Sequence, residues 1–175
     1  MKSSYLDLAI AQFKEIKELA EKTFAQLKED DFFWKQNEES NSIAAIIHHM
    51  SGNMLSRWTD FLTSDGEKPW RNRDQEFEDE TTTRDALLKI WEEGWACLFK
   101  ALHELKSSDL ESMVKIRNQP LTVVSAINRQ LTHYAYHVGQ IVYVGKLLKG
   151  SAWKSLSIPK RQSAQYNENL MKKKK

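Results

Sequence analysis

Apolar residues recur at helical spacing over four long stretches of this 175-residue chain, and no segment shows strong strand alternation. That pattern constrains the fold most, because amphipathic helices of this length bury their stripes best against one another. The first stretch sets Leu6, Ala9, Phe13, Ile16, Ala20, Phe24 and Leu27 on one face. Ser4, with Asp7 three residues later, opens it as a capping box, and the pattern predicts a helix from about Ser4 to Glu29. The second follows the cap-like pair Asn41-Ser42, aligns Ile43, Ile46, Ile47, Met50, Met54 and Trp58, and is expected to run to about Leu62. Thr82 with Asp85 opens the third, along which Leu87, Trp91, Gly94, Leu98, Leu102 and Leu105 recur at steps of three and four. The fourth is expected from Pro120 to Lys149, with proline at its start and Gly150 just past its end.

The connections are uneven. Between the second and third stretches, Thr63 to Thr81 breaks the periodicity with Asp65-Gly66 and Pro69 and carries the charged run Arg71-Asn72-Arg73-Asp74-Gln75-Glu76. A loop this long is either a solvated crossover or a lid that folds over a pocket, with Trp70 and its neighbours as the covering residues. Ser108 with Glu111 marks at most a short helix before the turn residues Arg117-Asn118-Gln119-Pro120. Met113-Val114-Lys115-Ile116 is the best strand candidate, and a weak one. The reading is therefore an all-α four-helix bundle over residues 1–150, with a long crossover loop between helices 2 and 3. Residues 151–175 form an extension, expected to dock in part and to end in a mobile basic tail, Lys172 to Lys175.

Composition removes several functions. With 26 basic and 24 acidic residues, net charge +2, the chain has no broad cationic surface for nucleic acid. A single cysteine, Cys97, forms no internal disulfide, and Met1-Lys2-Ser3-Ser4-Tyr5 opens no apolar signal region. No run of 18 apolar residues is present to span a membrane. The expectation is a cytoplasmic protein with a small-molecule substrate.

The chemistry sits in the histidines. His133 and His137 are four apart in the fourth stretch, so they stand one above the other on a helix face, about 5–6 Å apart at Cβ, and both imidazoles can reach one ion. They flank the apolar stripe Val123, Ile127, Tyr134, Val138, Ile141 and Leu148, at the border of the core. In the second stretch His48 and His49 flank the stripe on opposite sides. His49 is favoured as the inward one, since Asn53 and Arg57 lie one and two turns further along its face; His48 is then a surface residue. His103, near the end of the third stretch, is expected at the surface. A lone His-x-x-x-His is also compatible with two hydrogen-bonded interior histidines, and Tyr134 stands where a zinc protease has its general-base glutamate.

The strings Ser42-Ile43-Ala44-Ala45-Ile46-Ile47-His48-His49-Met50 and His133-Tyr134-Ala135-Tyr136-His137-Val138-Gly139-Gln140-Ile141 resemble the two metal-ligand motifs of the DinB/YfiT-like superfamily. The likeness is greatest to a Bacillus-type subfamily that carries a domain-of-unknown-function label, and it spans about residues 5 to 150. It implies a four-helix bundle with a crossover, a homodimer, and a divalent ion such as zinc or nickel on three histidines. Carried over, these are His49, His133 and His137. Characterised members of the superfamily include transferases of the low-molecular-weight thiols bacillithiol and mycothiol, and others are classed as metal-dependent hydrolases. The resemblance thus implies thiol transfer first and hydrolysis second, while a non-catalytic metal-binding or interaction bundle, with Trp70 and Trp153 on its contact surface, is the third reading. Asn53 and Gln140 can accept hydrogen bonds from ligating histidines, and Arg57 and Arg129 can hold a substrate carboxylate. Gly139, beside the ligand pair, is expected to let a helix or ligand approach closely.

Overall fold

The structure, a computed structural model, describes residues 4–78 and 83–172. Among these, α1 spans Tyr5–Phe24, α2 Ile43–Trp58, α3 Arg84–Glu104, α4 Val123–Lys149 and α5 Ser163–Lys172; β1 (Met113–Ile116) and β2 (Gln119–Thr122) form one antiparallel hairpin. The chain is thus mostly helical, with a small two-stranded sheet. No described helix is long and apolar enough to cross a membrane.

Each long helix starts where a side-chain oxygen meets an otherwise unpaired backbone amide. Ser4 and Asp7 close the expected capping box on α1, while Ser42 accepts from Ala45 N and Thr122 from Ser125 N. At α3 the cap is Thr83, which accepts from Ala86 N; the expected Thr82 lies outside the described residues. α1 stops at Phe24 rather than Glu29, because its last turn tightens into three-residue hydrogen bonds, Gln26 N to Thr23 O and Leu27 N to Phe24 O. Leu27 stays buried past that end, which is why the stripe reads on beyond the helix. α2 likewise ends at Trp58, short of Leu62: Thr59 is extended and Asp60 takes a positive φ of 50°.

Helix α4 begins three residues later than its proline indicates. Pro120 pairs with Lys115 in the hairpin instead, and Arg117 and Asn118 make the two-residue turn with φ of 54° and 59°, the conformation that tight hairpins demand. Met113–Ile116 is thus a strand, and of the four residues expected as a turn before a helix, Gln119 and Pro120 belong to its partner strand. Between α3 and β1 only a single turn, Ser107–Asp109, is helical.

α2 packs on α3, α1 on α4, α2 on α4 and α1 on α3, closing one core. An aromatic column crosses that core: Phe13 meets Trp58, Trp95 and Tyr134 with ring centroids 5.9–6.3 Å apart, and Phe24 meets Phe32 and Trp91 at 5.3 Å. Such pairs add to the area each ring buries. The α2–α3 approach is closest at Gly94, where an added Cβ would stand 2.9 Å from the Ser51 Cα. Gly94→Ala is therefore expected to cost about 1–3 kcal/mol by overpacking against backbone, despite alanine's better helix propensity; thermal or urea unfolding measures it.

The described part of the loop, residues 63–78, is tied into the fold rather than structureless. Gly66 N donates to Lys115 O at 2.8 Å, and the Asp65 carboxylate accepts from Arg117 N and Asn118 N at 2.8 and 2.7 Å, tying the loop to the hairpin. A single helical turn, Asp74–Phe77, then packs against α2. Trp70, proposed as a covering residue, is exposed. In the extension, Lys154 N donates to Gln26 Oε1 at 2.8 Å, and Gly145 leaves room for Thr23 and Trp153, so the segment docks near its start. Further on, α5 is exposed at every residue, and of the expected basic tail only Lys172 belongs to it, Lys173 to Lys175 lying outside the described residues.

Candidate metal centre

α2 and α4 carry His49 and the pair His133 and His137 to one point, where one ligand nitrogen from each lies within 4.8 Å of the others. The Nε2 atoms face inward: His133 Nε2 stands 3.3 Å from that of His49 and 3.0 Å from that of His137. Two nitrogens held about 2.05 Å from one ion at the tetrahedral angle stand about 3.3 Å apart. The His49–His133 and His133–His137 pairs have that spacing, and all three nitrogens lie within 4.8 Å of one another.

The outward nitrogens explain why the inner ones are free to bind. His49 Nδ1 donates to Glu76 Oε2 at 3.0 Å, His137 Nδ1 to Gln140 Oε1 at 2.8 Å and His133 Nδ1 to Gln130 Oε1 at 3.4 Å. An imidazole whose one ring proton sits on Nδ1 presents a lone pair at Nε2. Three lone pairs at this distance repel unless a cation sits among them. Burial pushes His133 down to about 3, with the nearby charges of His137, His49, Arg57 and Arg71 adding to it, and burial pushes His137 down to about 4. Both stay neutral at physiological pH, the state that binds metal. Below the ordinary value of 6.5 an unfolded chain takes up protons that the folded one refuses. Metal-free protein should therefore lose stability steadily as pH falls from about 6.5 towards 4. Urea midpoints measured across that window check it.

Glu76 is the residue that sequence reasoning missed. It lies in the loop turn Asp74–Phe77, where no periodicity aims a side chain, and only the charged run 71–76 marked it. Its carboxylate accepts from Arg71 Nε and Nη2 at 2.7 and 2.8 Å while holding His49. Burial opposes its ionisation, but these bonds outweigh it and keep its carboxyl below the usual range. Gly52 makes the arrangement possible, since a Cβ there would meet Glu76 Oε1. Phe77 lies against the His49 ring with centroids 4.8 Å apart, so Phe77, rather than Trp70, covers His49 from the loop. Gln130, also unforeseen, is buried beside His133.

The other expected site residues divide. Gln140 meets His137 as anticipated. Asn53 does not touch a histidine: its Oδ1 accepts from the Tyr134 hydroxyl at 3.0 Å, which in turn accepts from Trp58 Nε1 at 3.2 Å. Tyr134 is fully buried and its phenol is pushed up by burial, so it is a core strut rather than a base. Tyr134→Phe strands both partners and should cost about 1–3 kcal/mol in unfolding experiments. Arg57 is buried and pinned to Ser56, Gly66 O and Glu67, whereas Arg129 is exposed. His48 is half-buried rather than at the surface, and its Nε2 has no partner among the described residues. His103 is exposed, with Nδ1 bonded to Phe99 O. At Gly139 nothing lies within 4 Å of an added Cβ, so no helix approaches there.

The triad opens on a cleft of about 620 Å³ that is also lined by Asn53, Phe77 and five arginines: Arg57, Arg71, Arg73, Arg117 and Arg129. None of its lining residues is acidic.

The crystal structure of a conserved protein from Enterococcus faecalis aligns with this chain at a TM-score of 0.65 and 16% sequence identity, covering 85% of this chain and 99% of the other. At that identity the likeness shows a shared fold. Comparison with curated proteins gives no match. A family model described as "Protein of unknown function (DUF1572)" matches residues 1–162, and the chain belongs to that family.

Proposed function

We propose that this protein is a divalent-metal-dependent enzyme on a DinB/YfiT-like four-helix bundle, activating a low-molecular-weight thiol for transfer to an electrophile. One observation carries the reading: three imidazoles from two helices turn their Nε2 lone pairs to one point, each with its Nδ1 proton bound to a side-chain oxygen. The donor set of three neutral nitrogens suits zinc or nickel. When bound, such an ion keeps its full charge and an open position, and so favours the thiolate form of a thiol. The chain's own residues do the rest. Glu76, Gln130 and Gln140 hold the rings in orientation, Phe77 shields His49 from solvent, and the arginines draw anionic reactants towards the open side. The bundle assignment is supported by four long helices packed around one core, and the superfamily assignment by the two histidine strings.

The test is conjugation of bacillithiol or cysteine to a bromobimane by zinc-loaded protein. Zinc-dependent product that His137→Ala abolishes is the expected result. Ester or amide turnover without added thiol would favour the hydrolase reading instead, and full metal loading with neither activity would favour a non-catalytic bundle.

A further inference from the structure

Two of the five cleft arginines lack a carboxylate partner among the described residues. Arg57 and Arg117 share Glu67, and Arg71 is paired with Glu76. Arg73 stacks on Phe77 at 5.5 Å, and neither it nor Arg129 has a carboxylate partner among the described residues. Unpaired guanidinium groups in a concave wall without acids concentrate anions, and their planar donors match carboxylate and phosphate oxygens. A second groove, of about 430 Å³, continues the first: Asn41, Tyr136 and Gln140 line both. Its floor is Gly139, open above, between the exposed rings of Tyr136 and Tyr143, with Trp34 and Leu147 also along it. A glycine inside a helix costs roughly 1 kcal/mol against alanine. No described residue packs closely enough to require one at Gly139, whereas a flat ligand lying on the helix would.

We infer that the electrophilic substrate is a small organic anion. Its carboxylate or phosphate is held by Arg73 and Arg129, and its flat apolar body lies over Gly139 between Tyr136 and Tyr143. The inference rests on the enzyme reading above only in naming this ligand a substrate; the anion site stands on the arginines and the groove.

Calorimetric titration of the full-length protein, as purified and again after chelation, would use phenyl phosphate, phenylacetate, inorganic phosphate and neutral benzyl alcohol. The aryl anions should bind about tenfold or more tightly than benzyl alcohol in both preparations, and Arg73→Ala/Arg129→Ala should remove that preference. Whichever of phenyl phosphate and phenylacetate binds more tightly identifies the head group. Gly139→Leu, which fills open space, should weaken phenyl phosphate but spare inorganic phosphate. Equal affinity for benzyl alcohol and the anions, or a preference that survives the double arginine change, overturns the proposal. Self-association broken by Gly139→Leu at unchanged phenyl phosphate affinity assigns the groove to a second copy and overturns its aryl half. Failure of the metal reading is separable: protein that takes up no zinc yet binds phenyl phosphate through Arg129 refutes the metal centre and leaves the anion site standing.

Discussion

His133→Ala is expected to abolish metal binding while leaving the fold intact. His133 is the middle member of the triad, with its Nε2 within 3.3 Å of both partners, so its loss leaves two donors with no third to complete the set. Structural zinc sites of four ligands bind with about 10–16 kcal/mol, which puts one ligand at about 2.5–4 kcal/mol, roughly a hundred- to a thousandfold in affinity. The metal-free proteins should behave differently. Removing one ring relieves the crowding of three lone pairs, and His133 is only half-buried, so the metal-free variant should be at least as stable as metal-free wild type. Zinc titration and thermal unfolding, with and without chelator, report the two effects separately. A variant that binds zinc as tightly as wild type would remove His133 from the site.

Glu76→Ala should damage both stability and the metal site, for one reason. Its carboxylate is the only ion-pair partner of the buried Arg71 guanidinium among the described residues, and also the acceptor for His49 Nδ1. Breaking a buried pair leaves an uncompensated charge, a loss of about 3 kcal/mol or more in unfolding free energy. Releasing the His49 ring should weaken metal binding about 10- to 100-fold, the usual effect of losing an outer hydrogen-bond partner of a ligand. Arg71→Met separates the two: it removes the buried cation together with its need for a partner and leaves Glu76 to hold His49. Metal affinity should then recover more than stability does. If Glu76→Ala binds metal like wild type, the carboxylate has no part in orienting His49.

How much of this was legible in the residues follows from what a periodic pattern can encode. Helix stripes and caps are local, and Ser4, Ser42 and Gly150 mark their ends because an unpaired amide or a positive φ is a one-residue requirement. The same logic aligned His133 with His137 four residues on. The end of α1 was misread because Leu27 continues the stripe through a turn that is no longer helical. The hairpin was misread because Pro120 is equally at home at a helix start and on a strand whose outer edge is unpaired. Glu76 was out of reach for a different reason. Its contact with His49 spans 27 residues and depends on the loop being tied down by Asp65 to the hairpin and on Gly52 leaving room. Asn53 shows the reverse failure: it shares the helix face of His49, yet the hydroxyl of Tyr134 takes its oxygen.

The account stands on a cation at the meeting point of His49, His133 and His137. Elemental analysis of protein purified without chelators tests it most directly, and about one zinc or nickel per chain is expected, falling to none in His133→Ala. Wild-type protein that carries no divalent ion and takes none up from micromolar zinc would contradict it, and would leave three imidazoles held together by the fold alone.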